Sequence, residues 1–229
     1  MKPLLLALLL LGTSRVAGAQ VGYDPLHSPY RDADQSHEWS VLVGHYTARP
    51  DPAGVAPQGG ELVGLLYGWH AGGPIYLTGS LTRIASQRLV LDPASPTSAR
   101  RLGLAYWPLF DVDGQMEIAL TGARTYHRVM PLTKFGFGLI SDRHTRSDVG
   151  DFSFGTRFEF VWGAGFRWLA SDRWAVRGDW TNRFYSMGYP ETYYRLAKDS
   201  TSVVTAHQAK SFWRNNPAFS IGLSYMPWR

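Results

Sequence analysis

The stretch "TRFEFVWGAGFRW", residues 156–168, decides the fold because two kinds of side chain alternate along it. One set is mainly large and apolar: Phe158, Phe160, Trp162, Ala164, Phe166 and Trp168. The other set is charged or small: Arg157, Glu159, Val161, Gly163, Gly165 and Arg167. Successive side chains of a β-strand point to opposite faces, so the pattern predicts a strand with one aromatic face and one charged face.

The same alternation elsewhere predicts a chain built of strands. Aromatic residues make up 14% of the sequence and there are 24 glycines, which favours β-structure over helix. No later segment is a long unbroken apolar run, so transmembrane helices are not expected. The predicted strands lie near residues 39–49, 61–70, 74–84, 100–107, 115–125, 156–168, 174–185 and 217–225.

Residues 1–19 are predicted to be a signal peptide, with cleavage after Ala19. Lys2 begins the segment, an apolar run follows from Leu4 to Leu11, and "AGA" at 17–19 has the form of a cleavage site. Residues 20–38 are then predicted to be a polar lead-in, and residues 39–229 are predicted to form the strand-bearing domain, which the connections described next indicate to be a barrel with its lead-in on the periplasmic side. The chain contains no cysteine, so disulfides are excluded. Loss of the signal lowers the formal charge of +5 by two, which is too small an excess to indicate nucleic acid as a partner.

The connections between predicted strands alternate between short and long. Short turns are predicted at "AGG" before Pro74, at "PLFDVDG" after Trp107 and at "LASDR" after Trp168. Long connections span residues 50–60, 85–99, 126–155 and 186–216. In an antiparallel barrel all long connections then lie on one side. This predicts an all-β fold, an eight-stranded antiparallel up-and-down transmembrane barrel with short periplasmic turns and long extracellular loops.

Tryptophan positions agree with this sidedness. If the short turns are periplasmic, one group of tryptophans lies near that side and is predicted to form a periplasmic aromatic girdle, where amphipathic rings prefer the headgroup region. The group consists of Trp39, Trp69, Trp107, Trp168, Trp174 and Trp228.

The charged faces are predicted to point inward. Paired opposite charges separated by glycines suit a crowded lumen, in which each charge finds a partner. The predicted lumen charge network consists of Glu117, Arg157, Glu159, Arg167, Arg177, Asp179 and Arg183. The alternative is a soluble periplasmic lipocalin-like ligand-binding barrel, which would turn the aromatic face inward and leave the charges in water.

The end of the chain, "NPAFSIGLSYMPWR" at 216–229, carries a family resemblance. Its apolar residues occupy alternate positions at Phe219, Ile221, Leu223 and Tyr225. Together with the topology, this resembles the small eight-stranded OmpA/OmpX-like outer-membrane β-barrels of Gram-negative bacteria. In that family the last strand carries an assembly signal, so these four residues are expected to act as one for the outer-membrane insertion machinery. The sequence departs from the family at Pro227 and Trp228, where a terminal aromatic in phase is usual.

The resemblance implies a monomeric protein of the cell outer membrane. Its role would be structural or one of surface interaction, with a narrow side-chain-filled lumen, specificity in the extracellular loops, and no cofactor, metal or catalytic residue. Its partners would be outer-membrane lipid and lipopolysaccharide. Basic residues expected to pair with lipopolysaccharide phosphates are Arg128, Lys134, Arg143, Arg146, Arg195 and Lys198.

A lipid A-modifying outer-membrane enzyme is the second alternative. Such chemistry needs a serine, a histidine and an orienting carboxylate at the lipid-facing surface. His45 has the phase of Val41 and Val43, but Thr47 rather than a serine stands two residues further on. His27 and His37 lie among acidic residues of the lead-in without the spacing of a known metal site.

Overall fold

A computed structural model describes residues 28–33, 35–142, 149–205 and 211–227. The predicted signal peptide lies outside these residues. Among them, no helix is long and apolar enough to cross a membrane. The strands are β1 (Tyr30–Asp32), β2 (His37–Tyr46), β3 (Gly60–Gly72), β4 (Ile75–Ala85), β5 (Gln87–Leu91), β6 (Arg101–Tyr106), β7 (Leu109–Ala119), β8 (Arg124–Tyr126), β9 (Val129–Ser141), β10 (Thr156–Leu169), β11 (Trp174–Gly188) and β12 (Ser211–Tyr225). A short 3₁₀ helix covers Glu191–Tyr194.

Eight of the described strands form a closed antiparallel barrel. The order around it is β2, β3, β4, β7, β9, β10, β11 and β12. Closure occurs where β12 pairs with β2, with Tyr225 opposite Trp39 and Ala218 opposite Tyr46. The predicted eight-stranded antiparallel fold is therefore confirmed. The first barrel strand begins at His37 rather than Trp39, so the predicted end of the lead-in is two residues late.

One predicted barrel strand is wrong, one is shifted along the chain, and one barrel strand is missing from the prediction. Residues 101–106 form β6, which pairs with β5 outside the barrel. The predicted turn "PLFDVDG" is largely the start of β7, and the barrel strand β9 lies inside what was predicted as one long loop. Proline, glycine and aspartate usually mark turns, but in β7 the aspartates face a polar lumen, which accepts them within a strand. In β9 the glycines give the backbone of the neighbouring strand room. A Cβ on Gly136 would lie 2.1 Å from the Gly114 carbonyl oxygen.

The two ends of the barrel differ, as the loop lengths predicted. At the turn end, β3 joins β4 through Gly73 and Pro74, and β10 joins β11 through residues 170–173. The third connection there covers residues 120–128 and contains β8, which pairs with β1. The opposite end, called the loop end, carries the connections 47–59, 86–108, 142–155 and 189–210.

The outer surface of the barrel is apolar and its interior is not. On β10, Phe160 and Trp162 are each 48% exposed, whereas Glu159 between Phe158 and Phe160 is buried. On β12, Phe219, Ile221 and Leu223 point outward and Ser220 points inward. A soluble lipocalin-like barrel requires the opposite arrangement, so that alternative is wrong.

Apolar clusters close the lumen at both ends. The turn-end cluster brings Ala33 of the lead-in against Tyr76, Ala119, Met130 and Leu132. The loop-end cluster is larger and combines inward side chains of the strands with side chains of the loops. It contains Tyr46, Val55, Ala56, Leu62, Ile84, Leu91, Leu109, Ile140, Phe152, Phe154, Tyr185, Met187, Tyr189, Tyr193, Val204 and Ala218.

Candidate functional site

The lumen between the apolar clusters holds two groups of charged side chains. They come from inward positions of β2, β7, β9, β10 and β11, because alternate residues of these strands share the inner face. The group nearer the turn end is called the turn-side cluster, and it consists of Glu38, Glu117, Lys134, Arg167, Arg177 and Asp179. The group nearer the loop end is called the loop-side cluster, and it consists of Asp111, Asp113, Glu159 and Arg183.

Arg177 is the centre of the turn-side cluster. Its Nη2 lies 2.7 Å from Glu117 Oε1 and its Nη1 lies 3.1 Å from Glu38 Oε1. Its Nε donates to Asp179 Oδ2 at 2.7 Å. The side chain is completely buried. Three carboxylates around one guanidinium would leave an excess of negative charge, so further cations are needed.

Lys134 and Arg167 supply those cations. Lys134 Nζ lies 2.6 Å from Asp179 Oδ1 and 3.0 Å from Glu117 Oε1. Arg167 Nη2 donates to Glu117 Oε2 at 2.6 Å, and its Nε lies 2.9 Å from Glu38 Oε2. The turn-side cluster therefore pairs three acidic with three basic residues and carries no formal net charge.

The loop-side cluster places three carboxylates around one guanidinium. Arg183 contacts Asp111, lies 2.5 Å from Glu159 Oε1 and lies 3.2 Å from Asp113 Oδ2. Ser80 Oγ and Gln115 Nε2 donate to Asp113 at 2.8 Å and 2.7 Å. Oxygen atoms of the three carboxylates approach within 4.8 Å of one another, a spacing that could hold a metal ion. The guanidinium of Arg183 contacts all three carboxylates and is itself the cation of this cluster.

The predicted lumen network overlaps these clusters without matching them. The structure brings Glu117, Arg167, Arg177 and Asp179 together in one cluster and Glu159 and Arg183 in the other. Arg157 stands apart at the loop end: its Nε donates to the Phe154 carbonyl oxygen at 2.8 Å.

Sequence reasoning missed four members of the clusters. Asp111 and Asp113 were placed in a turn, Glu38 in the lead-in, and Lys134 in an extracellular loop. The alternation Asp111, Asp113, Gln115 and Glu117 could have identified β7, because each of these residues is separated from the next by one position. The prediction that Lys134 binds lipopolysaccharide is wrong, because its side chain lies inside the lumen and is 3% exposed.

The remaining basic residues predicted for lipopolysaccharide divide between the ends. Arg128 lies at the turn end, where its Nη1 donates to the Ala170 carbonyl oxygen at 3.1 Å. Arg195 and Lys198 are exposed at the loop end. Positions 143 and 146 lie outside the described residues.

Aromatic side chains surround the turn end. The predicted girdle members found there have outward side chains 45–53% exposed: Trp39, Trp69, Trp168 and Trp174. Trp107 lies instead at the loop end, where its Nε1 donates to Asp142 Oδ2 at 2.7 Å and the Arg88 guanidinium carbon lies 4.3 Å from its ring centre. The prediction for Trp107 is wrong because the strand before it leaves the barrel. Trp228 lies outside the described residues.

The closing strand presents the four residues of the predicted assembly signal to the outside. Phe219, Ile221, Leu223 and Tyr225 are 37–54% exposed. Their neighbours face the lumen, where Ser224 Oγ donates to Glu38 Oε1 at 2.7 Å. A Cβ on Gly222 would lie 2.6 Å from Leu42 Cδ2 and 3.0 Å from Arg177 Cγ, so the glycine leaves room for these two buried side chains.

The described parts of the loop-end connections pack into one body, called the loop cap. Asp51 organises its first loop: its Oδ1 accepts from the Ala56 amide at 2.9 Å and its Oδ2 from the Tyr189 hydroxyl at 2.6 Å. Burial and the hydrogen bond to Asp51 raise the pKa of the Tyr189 phenol. Tyr189 stacks on Tyr193 with ring centres 5.7 Å apart. The cap thus has its own apolar core and covers the barrel mouth.

His45, the histidine of the predicted enzyme alternative, lies beside a carboxylate. Its Nδ1 lies 3.7 Å from Glu61 Oε1, and both side chains are exposed on the outside of neighbouring strands. A base and a carboxylate are therefore adjacent. The outward residue two positions on is Thr47, so the serine of a serine–histidine–acid set is missing there.

Comparison with known proteins gives the fold. No protein-family model matches the chain, and no curated protein is similar enough to count as a relative. The outer-membrane protein OprG of Pseudomonas aeruginosa is similar over 86% of this chain and 98% of its own, with a TM-score of 0.52 and 10% identity. Neisserial surface protein A covers 87% and 97%, with a TM-score of 0.49 and 9% identity. The N-terminal barrel domain of Pseudomonas aeruginosa OprF covers 83% and 98%, with a TM-score of 0.41 and 12% identity.

The likeness to OprG shows that this chain has the fold of a small outer-membrane β-barrel. The apolar outer surface and the charged, closed interior are what such a barrel needs in a bilayer. Fold and surface together assign the chain to the outer membrane.

Proposed function

We propose that this protein has a structural or surface-interaction role in the outer membrane, with a closed lumen and with the loop cap as its contact surface. The observation that supports this most is the filling of the lumen. Buried opposite charges occupy its middle, and apolar clusters occupy both ends. A barrel of eight strands leaves an interior just wide enough for side chains, so no continuous water path is expected.

The partners follow from this location. Outer-membrane lipid surrounds the barrel, and lipopolysaccharide is the lipid whose phosphates exposed cations such as Arg195 and Lys198 would meet. The insertion machinery would recognise the closing strand during assembly. The protein would act as a monomer, because its sheet is closed and leaves no barrel edge for a second copy.

Membrane fractionation tests the location and the fold together. We expect the protein to require detergent for extraction and to migrate differently on a gel before and after heating. A protein that dissolves freely without detergent would contradict a membrane-spanning role. Single-channel recording in a planar bilayer tests the closed lumen, and a stable open conductance would contradict it.

A non-enzymatic role is part of the proposal, and the His45–Glu61 pair makes it testable. Incubating the purified barrel with lipid A should leave the mass of the lipid unchanged. Loss or gain of an acyl chain would instead support the lipid A-modifying alternative. Replacing His45 with Ala would then have to abolish that change.

A further inference from the structure

The apolar band around the barrel is uneven in height. On β10 the outward side chains are apolar from Phe158 to Trp168. With a strand rise of roughly 3.3 Å and a tilt of about 40°, this corresponds to about 25 Å, the usual height of such a band. On β4 the band runs only from Ile75 to Leu81 before the charged Arg83, which corresponds to roughly 15 Å. About 10 Å of apolar surface is missing above β4.

A hairpin that is not part of the barrel follows β4 at the loop end. Only Ser86 separates β4 from β5, and β6 returns to β7 through Trp107 and Pro108. The hairpin of β5, β6 and their connection, residues 87–106, is called the arm. It therefore prolongs the β4–β7 pair beyond the barrel rim.

One face of the arm is apolar and exposed. Leu102, Leu104 and Tyr106 occupy alternate positions of β6 and are 55%, 60% and 55% exposed. These values are similar to those of the lipid-facing side chains, such as Leu81 at 53%. A sheet face that stands in water is normally polar, so a row of exposed apolar residues marks a contact surface.

The other face of the arm is anchored to the rest of the loop cap. Arg88 is buried, with its guanidinium carbon 4.3 Å from the centre of the Trp107 ring and 4.9 Å from that of Phe152. At the arm tip, Arg100 Nη2 donates to Thr201 Oγ1 at 2.7 Å. The arm is thus held in place, and its exposed face is presented in a defined position.

Arg83 joins the arm face to the barrel surface. Its Nη2 donates to the Tyr106 hydroxyl at 2.6 Å, and both side chains are exposed. A guanidinium has five N–H donors in a planar fork that matches the geometry of a phosphate. Tyrosine is favoured at membrane interfaces because one end of its ring is apolar and the other polar.

We infer that the arm is a lipid-contact element of the outer leaflet. Leu104 and Tyr106 continue the apolar band that β4 lacks, and the long Arg83 side chain extends from β4 along the arm face to the Tyr106 hydroxyl, where its guanidinium binds the phosphate of a lipid headgroup. The inference rests on the proposed membrane location. Its occupant is a phosphate-bearing lipid surface, chosen because the apolar face is continuous with the lipid-facing face of β4 and a cation lies at the junction.

Fluorescent labelling of single cysteines tests the inference, because the chain has no native cysteine. The labelled variants Leu104→Cys, Val43→Cys and Leu196→Cys are inserted into phospholipid vesicles containing lipid A and a lipid-bound quencher. Val43 is a lipid-facing control, and Leu196, 72% exposed in the loop cap, is a water-facing control. We expect the label at Leu104 to be quenched to at least half the extent of that at Val43, well above that at Leu196.

Quenching at Leu104 equal to that at Leu196 would overturn the inference while leaving the proposed membrane location intact. If the label at Val43 also escaped quenching, the membrane location itself would fail.

The phosphate contact is tested in the same vesicles with Arg83→Gln added to the Leu104→Cys chain. We expect quenching at Leu104 to fall toward that of Leu196, and Arg173→Gln, an exposed arginine at the turn end, to leave it unchanged. Replacing lipid A with its dephosphorylated form should reproduce the effect of Arg83→Gln. Unchanged quenching in both cases would overturn the phosphate contact. Restoration of quenching by millimolar inorganic phosphate in the vesicles that contain dephosphorylated lipid A would also overturn it, by assigning the site to free phosphate.

Discussion

Gly165 of β10 faces the lumen beside Asp179 of β11, and its lack of a side chain leaves space for the Asp179 carboxylate. A Cβ there would lie 2.4 Å from Asp179 Oδ1 and 2.7 Å from the Gly178 carbonyl oxygen. The second contact is with backbone, which cannot rotate away as a side chain can. A larger residue at position 165 would therefore collide with the turn-side cluster and with the neighbouring strand.

Gly165→Ala is expected to destabilise the barrel by about 1–3 kcal/mol, the usual cost of overpacking. Gly114→Ala is the matched control, because Gly114 faces outward and a Cβ there would meet nothing within 4 Å. Urea unfolding in detergent measures both. Equal unfolding midpoints for the two variants would contradict the packing argument.

Removing the central cation of the turn-side cluster should cost more. Arg177→Met leaves Glu38, Glu117 and Asp179 with only Lys134 and Arg167 as cations. Breaking a buried ion pair by removal of one partner typically costs about 3–5 kcal/mol. The same urea titration should show a much lower midpoint, and the exposed control Arg195→Met should stay within about 0.5 kcal/mol of the unchanged chain. An unshifted midpoint for Arg177→Met would mean that the cluster contributes little to stability.

At the scale of elements, the arm and the loop after β11 are joined by a carboxylate. Asp199 Oδ2 accepts from the Thr97 amide at 2.7 Å, and Asp199 Oδ1 from Thr201 Oγ1 at 2.6 Å. Arg100 Nη2 lies 3.9 Å from Asp199 Oδ1. The hydrogen bonds from Thr201 and Thr97 lower the pKa of the Asp199 carboxyl. We call this contact the arm latch.

Because the pKa of the Asp199 carboxyl is lowered in the folded protein, the arm latch is expected to weaken at acid pH and not at neutral pH. The latch is complete above the ordinary aspartate pKa of about 3.9 and is lost only as the pH falls through the lower pKa of the folded protein. A spin label at Ser98→Cys in the arm tip should stay immobile from pH 7 to about pH 4, and should become mobile only as the pH falls further, through the lowered pKa of Asp199. Asp199→Asn should make the label mobile already at pH 7. An immobile label in Asp199→Asn would show that the carboxylate does not hold the arm.

The closing strand has an assembly role that remains a prediction. Its outward residues meet lipid in the finished barrel, and Trp228 follows them outside the described residues. Trp228→Ala should slow insertion into vesicles while leaving the heat-modifiable barrel unaltered. Unchanged insertion kinetics would argue against a role of Trp228 in assembly.

Strand alternation predicted the elements with strong two-residue periodicity and missed those with turn-like composition. The long strands β10 and β11 were predicted nearly in place because large aromatic residues mark their outer faces, whereas β12 begins at Ser211, six residues before its predicted start. The strand β9 was missed because Pro131, Gly136 and Gly138 interrupt its pattern. The alternation predicts β6 as a barrel strand because the apolar face of β6 repeats the outer pattern of the barrel strands.

For the whole molecule, the sequence predicted which face meets lipid but not which charges meet each other. Alternation assigns a side chain to the lumen, yet the pairing of Glu38 with Arg177 depends on barrel closure, which brings residues far apart in sequence together. The loop cap was likewise beyond prediction, because its apolar core joins short segments of separate loops. Such contacts follow no local period.

The central claim is that the barrel turns apolar residues to lipid and keeps a closed lumen. Cysteine reactivity in vesicles tests both parts with neighbouring residues of β10, Phe160→Cys on the outside and Val161→Cys on the inside, which are 48% and 1% exposed in the native chain. We predict that a lipid-soluble maleimide modifies only Phe160→Cys, that a charged membrane-impermeant reagent modifies neither, and that unfolding makes both reactive. Modification of folded Val161→Cys by the charged reagent would contradict a closed lumen, and modification of folded Phe160→Cys by it would contradict an outer face in lipid.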